Sequence, residues 1–225
     1  NGVYTITFTF KGNSYYSSTS GTRTISMVSG KLNPNLSSNG LVKYYGDTTP
    51  LKIYLKDNNH QAMTNKDVTI SINGATYTRT SDSNGIVSLN INLLAGTFQA
   101  TIHYPGDTYY NPITITTQVT VNKKTAVLSA NNLVKYHGAS DQFSARLTYN
   151  NQGLKDKTLK LTINGVTYNK ITDNNGYVYL NVNLEIGTYT INVVYDGDNY
   201  YKSTSISKTV TVKDWLTTTL SADNL

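Results

Sequence analysis

Cysteine is absent from the sequence, which excludes disulfides and thiolate chemistry and leaves stability to hydrophobic cores or to crosslinks of another kind. Charged residues make up only 14%, and Glu185 is the single glutamate. The three histidines, His60, His103 and His137, do not recur at matching positions and form no shared cluster. Nucleophile elbows, phosphate loops and Cys/His metal spacings are missing too. The expectation is therefore a chain that is not an enzyme, with no catalytic residue, no metal ligand set and no cofactor. No apolar run approaches the roughly 18 residues of a membrane-spanning helix, and no window holds helical periodicity. Nineteen Lys and Arg against 13 Asp and Glu give a net charge of +6. These basic residues are scattered and never form a run of three, so the stripe that nucleic-acid binding needs is not there.

What the chain does have is tyrosine, 19 against 4 Phe and 1 Trp, together with abundant Thr, Ser and Asn. That mixture suits pleated, half-buried strands. It also has a block that occurs twice: Ile72 to Leu93, INGATYTRTSDSNGIVSLNINL, and Ile163 to Leu184, INGVTYNKITDNNGYVYLNVNL. Asn73-Gly74 and Asn164-Gly165 are the dipeptides that tolerate positive φ at both central positions of a type I′ turn, so each copy opens with a tight hairpin. Asp82-Ser83-Asn84-Gly85 and Asp173-Asn174-Asn175-Gly176 supply a second turn. After it, Val87, Leu89, Ile91 and Leu93, matched by Val178, Leu180, Val182 and Leu184, alternate onto one face of a strand. Tyr179 falls on the polar face.

Around that block the repeat extends to residues 31–122 and 123–214. Leu41 to Leu133 is 92 residues and Gly74 to Gly165 is 91, so one residue is lost near Gln61 to Met63 against Gly153-Leu154. Each repeat reads as about seven short alternating strands between Gly, Asn and Asp turns, the first of them near Leu36 to Tyr44, the pattern of an immunoglobulin-like β-sandwich without its Cys and Trp. Residues 1–30 match the last two strands of such a repeat. Thr217 to Leu225, TTTLSADNL, matches Thr125 to Leu133, TAVLSANNL, so 215–225 reads as a linker and the first strand of a following domain. The expected fold is thus all-β, tandem sandwiches with partial domains at both ends, cut from a longer array. Trp215, at the last junction, is a candidate to sit between neighbouring domains.

The loop before the last strand carries Tyr104-Pro105-Gly106-Asp107-Thr108-Tyr109-Tyr110 and Tyr195-Asp196-Gly197-Asp198-Asn199-Tyr200-Tyr201. Asp107 and Asp198 read as turn-capping acceptors ahead of calcium ligands. Tyr109, Tyr110, Tyr200 and Tyr201 are the candidate ligand-binding residues, as surfaces on which a sugar would stack. Lys43 and Lys135 hold equivalent places in LVKYY and LVKYH. They read as surface lysines with stems on the adjacent tyrosine; if buried, either is the candidate nucleophile for an isopeptide crosslink to Asn90 or Asn92, and to Asn181 or Asn183. Thr–Gln ester crosslinks follow the same logic.

Taken together, LVKYY, INGVTY, TDNNG, LNVNL, GTYT and YDGDNYY resemble the tandem Ig-like repeats of adhesin-like surface proteins of methanogenic archaea, and more broadly bacterial Ig-like repeat proteins. The resemblance implies an extracellular, cell-surface or wall-associated array acting as a stalk or adhesive segment. Its implied partners are neighbouring repeats of the same chain and a wall polymer, or a glycan or protein of a host or partner cell. A glycan-binding module and a subunit of an extracellular filament are the alternatives.

Overall fold

The computed structural model describes residues 2–27, 30–215 and 220, and every regular element among them is a strand. The first two, β1 (Gly2–Phe10) and β2 (Thr19–Met27), pair antiparallel as a sheet of their own. Their Tyr4, Phe8, Phe10, Ile25 and Met27 side chains are exposed. The chain divides into two compact units, one of Asn1–Leu41, Thr49–Ile91 and Phe98–Val119, the other of Val42–Thr48, Asn92–Thr97 and Thr120–Leu225.

After the hairpin come β3 (Asn35–Ser37), β4 (Leu41–Tyr44), β5 (Leu51–Lys56), β6 (Asp67–Ile72), β7 (Ala75–Thr80), β8 (Ile86–Leu89), β9 (Gly96–Tyr104) and β10 (Ile113–Asn122). They form a three-stranded sheet, β3-β5-β8, and a five-stranded sheet, β4-β10-β9-β6-β7. The second set is β11 (Val127–Ala130), β12 (Leu133–Tyr136), β13 (Gln142–Tyr149), β14 (Gln152–Gly153), β15 (Thr158–Ile163), β16 (Val166–Ile171), β17 (Tyr177–Asn181), β18 (Gly187–Tyr195) and β19 (Thr204–Lys213). Here β11-β13-β14, with β17 alongside β13, faces the five-stranded β12-β19-β18-β15-β16.

Period-two alternation explains the layers. Phe143, Ala145 and Leu147 of β13, Leu159, Leu161 and Ile163 of β15, and Ile191, Val193 and Tyr195 of β18 all point into one core. Each large apolar side chain so buried contributes about 1.5–3 kcal/mol. Asn73 and Asn164 have φ of 49° and 48°, with Gly74 and Gly165 at 77° and 75°, and Ile72 pairs with Ala75 as Ile163 pairs with Val166. The two-residue I′ hairpins are therefore as the dipeptides predict. The Asp82 and Asp173 turns carry the chain between sheets, their Oδ1 accepting from the amides of Asn84 and Ile86, and of Asn175 and Tyr177.

One expected strand, Leu36 to Tyr44, is two. Ser37 pairs with Tyr54 in the small sheet; then Ser38 Oγ donates to the Lys52 carbonyl at 2.8 Å and accepts from the Gly40 amide. The side chain replaces the next rung of the ladder, and the chain crosses to the larger sheet as β4. The predicted final strand, TTTLSADNL, lies outside the described residues apart from Leu220.

Gly176 shows how tightly the second turn is held. Its φ is +81°, and a Cβ there would sit 2.2 Å from the Leu147 carbonyl oxygen. Gly176→Ala is expected to destabilise the second sandwich by about 2–4 kcal/mol, combining left-handed strain with a backbone clash; equilibrium denaturation measures it, and a loss below about 0.5 kcal/mol would contradict this turn geometry.

Candidate functional site

The loop joining β9 to β10 is built on one carboxylate. Asp107 Oδ1 accepts the amides of Tyr109 and Tyr110 at 2.8 and 2.9 Å, while Oδ2 accepts from Lys66 Nζ at 2.6 Å and from the Tyr104 hydroxyl at 2.9 Å. The loop so shaped holds the chain that leads into the sandwich. Leu32 donates its amide to the Tyr109 carbonyl and accepts from the Asn111 amide, both at 2.8 Å, as a parallel bridge beside Tyr110. Asn111 Nδ2 adds bonds to the Lys31 carbonyl and Asn33 Oδ1.

Ninety-one residues on, the device recurs. Asp198 Oδ1 accepts the amides of Tyr200 and Tyr201, both at 2.8 Å, and Oδ2 accepts from Lys157 Nζ at 2.5 Å. Lys124 donates to the Tyr200 carbonyl at 2.8 Å and accepts from the Lys202 amide at 2.9 Å. The lysine of the latch is itself placed from below. Buried Ser81 Oγ donates to the Met63 carbonyl and accepts the Lys66 amide; Thr172 Oγ1 does the same for Leu154 and Lys157. Sequence reasoning singled out the aspartates and tyrosines and missed Lys66 with Lys157, Ser81 with Thr172, and Tyr104 with Tyr195. Their common 91-residue spacing was the available signal.

Charge follows geometry. The Lys66 ammonium, then the Tyr109 amide, hold Asp107 well below the usual carboxylate range against the cost of burial. For Asp198 burial is the largest influence and pushes the carboxyl up, but Lys157, the two tyrosine amides and the Tyr195 hydroxyl together outweigh it and bring it down to about 2. Burial, then the neighbouring carboxylate, raises the hydroxyl groups of Tyr104 and Tyr195. The repeats differ in detail here: the buried Tyr195 hydroxyl lies beside Asp198 but outside the close geometry that the Tyr104 hydroxyl makes with Asp107. In the β1–β2 hairpin, Asn13 Oδ1 accepts the amides of Tyr15 and Tyr16 in the same pattern. Phe10 stands where Tyr104 does, so hydroxyl and carboxylate are absent together.

The candidate tyrosines are split. Tyr109 and Tyr200 are exposed and Tyr110 and Tyr201 half-buried, with Lys157 Nζ 5.8 and 5.6 Å from the Tyr200 and Tyr201 rings. Lys43 and Lys135 are not surface side chains: they are 6% and 4% exposed. Lys135 Nζ donates to the carbonyls of Ala139, Asp141 and Val182 at 2.5, 3.2 and 2.9 Å, using all three of its protons. Lys43 Nζ donates to the Asp47 carbonyl. A tight turn after β4 and after β12 folds the Asp47, Ala139 and Asp141 carbonyls back onto the lysines, and Val182 brings its carbonyl from beyond β17. Asn90, Asn92, Asn181 and Asn183 are exposed, and Asn181 Oδ1 accepts from Gln142 Nε2. Trp215 stacks on Tyr136 of the second unit, centroids 5.2 Å apart. The histidines stay apart, His103 bonding Thr114 and His137 lying 3.8 Å from Glu185, and no three His, Asp or Glu side chains converge among the described residues.

The chain matches no protein-family model and no curated protein. Similar solved structures include a 1.5-MDa bacterial ice-binding adhesin, at 18% identity over 95% of this chain and 75% of that one, with a TM-score of 0.39. Titin domains Z1Z2 are 13% identical over 84% of this chain and all of theirs, with a TM-score of 0.47. Drosophila N-cadherin EC1-4 is 14% identical over 94% and 57%, with a TM-score of 0.36. Scores of this size say nothing of ligand or activity.

Asp198→Asn is expected to cost about 1–3 kcal/mol, because it removes the charged acceptor of a mostly buried lysine. A carboxyl lowered on folding contributes stability that is complete above its unfolded value near 3.8 and fades as pH falls toward about 2. The variant should therefore lose stability at neutral pH and show a flatter acid limb in pH-dependent denaturation; an unchanged limb counts against the latch. Intact mass spectrometry reads the crosslink: condensation with release of ammonia removes about 17 Da per bond, and ammonium protons filled by carbonyls predict the calculated mass.

Proposed function

We propose that this chain is a segment of a long cell-surface protein, a non-enzymatic stalk or adhesive stretch in which each sandwich and its entering strand form one mechanical unit. The recurrence of the clamp carries this reading. In both repeats a residue at the entry to the sandwich, Leu32 or Lys124, is bonded on both sides by the loop that closes it. A pull on the chain then loads several hydrogen bonds and an ion pair before it reaches the core.

In this reading residues 31–122 and 123–214 are the complete units, 1–30 the closing hairpin of a preceding sandwich, and 215–225 the start of a following one. Support for the hairpin is positional. Ile6, Phe8, Phe10, Ile25 and Met27, all exposed, stand where Ala100, Ile102, Tyr104, Val119 and Val121 are buried. The extracellular setting, the wall or partner-cell contacts and the archaeal kinship rest on the sequence resemblance and belong to the same proposal.

Pulled from its ends in single-molecule force spectroscopy, the chain is expected to show two discrete unfolding events, each releasing roughly 300 Å at ~3.3–3.6 Å per residue. Asp107→Asn should lower the force of one event and Asp198→Asn that of the other. Forces unchanged in both variants, or extension with no discrete event, would sink the clamp reading.

A further inference from the structure

We infer that the outer face of β13 and β17, with β11 beside them, is a binding surface for an acidic polysaccharide, a polymer of carboxylate-bearing sugar rings. The inference deepens the adhesive part of the function proposed above and rests on it for access to such a polymer. Register defines the face. Ser129, Arg146 and Tyr177 lie in one cross-strand row, Ser144 and Tyr179 in the next, Gln142 and Asn181 in the third. The intervening Phe143, Ala145, Val178 and Leu180 turn into the core, so these seven side chains share the other side.

Their chemistry is selective. The Tyr177 and Tyr179 rings are 18° from parallel with centroids 6.0 Å apart, and Tyr179 is 48% exposed. Tyrosine on a rigid strand offers a large contact area at small entropic cost. The Arg146 guanidinium lies 5.2 Å over Tyr177 and is held there by an Nε bond to the Asn175 carbonyl at 3.0 Å. Its terminal nitrogens remain for a planar anion, and a carboxylate matches that fork. Gln142, Asn181, Ser129 and Ser144 supply neutral donors and acceptors suited to hydroxyl groups. A depression of about 210 Å³ between Ser129, Asn131, Ser144, Arg146 and Tyr177 gives a ring a place to sit.

Charge narrows the class. None of the seven positions is acidic, and Asp173, in the turn before β17, has its Oδ1 committed to the amides of Asn175 and Tyr177. The fold does not require the surface either. The first sandwich has Ile86, Ser88, Tyr54 and Lys52 in the equivalent rows, with no aromatic pair and no guanidinium.

Affinity electrophoresis of the whole chain through gels containing polygalacturonate, or neutral dextran, at physiological salt tests this. Retardation is expected with polygalacturonate and not with dextran. Tyr177→Ile together with Tyr179→Ser installs residues that the first sandwich already accommodates and changes no charge. It should weaken binding about tenfold or more, given the worth of two aromatic contacts, and Arg146→Gln should weaken it comparably. If the tyrosine variant binds like the parent, the attraction is only that of a basic protein for a polyanion, and the inference falls. Equal retardation in dextran overturns the acidic class. No retardation in either gel overturns the surface while leaving the clamp, read by force, untouched.

Discussion

Four hydrogen bonds converge on Asp107, and how the chain enters the sandwich follows from them. The two amide bonds fix the turn, the turn fixes the carbonyl of Tyr109 and the amide of Asn111, and these fix Leu32. A carboxylate suits this role because it accepts in several directions at once while its charge draws in a lysine from another strand. In the second sandwich Asp198 takes the lysine and both amides, with the Tyr195 hydroxyl lying beside it.

Much of this is legible in the sequence because it is local. The Asn-Gly hairpins, the Asp-led turns and the alternation of Val178, Leu180 and Val182 depend on neighbours a few residues apart, and the structure has them where the pattern puts them. Lys135 was legible too, since alternation sets it on the same face as Leu133. The habit of placing lysine outside won over the period, because the three carbonyls that accept its protons come from the loop after β12 and from Val182, just past β17. No property of residue 135 announces them.

The latch and the tyrosine face fail to show in sequence for a related reason. Lys66 meets Asp107 from 41 positions away, and Arg146 meets Tyr177 across two strands. Tyr177 and Tyr179 can be assigned to the polar side of a strand, but a surface exists only once β13 is laid beside it. The split of one expected strand into β3 and β4 has a similar origin: Ser38 finds the Lys52 carbonyl in a neighbouring strand, and a short hydroxyl side chain ends a ladder that local propensity would continue.

The clamp also dictates when the protein can fold. Asn33 and Asn111, which bond side chain to side chain, are 78 residues apart, so the device exists only after nearly a whole repeat has left the ribosome. Loop closure over that distance must precede any return in contacts, and sandwiches dominated by such pairings fold in milliseconds to seconds. During that interval the strands of the two repeats, alike in sequence, compete for the same partners. Synthesis from the amino end resolves the competition by order of arrival: the first sandwich can close while its neighbour's last strands are still untranslated.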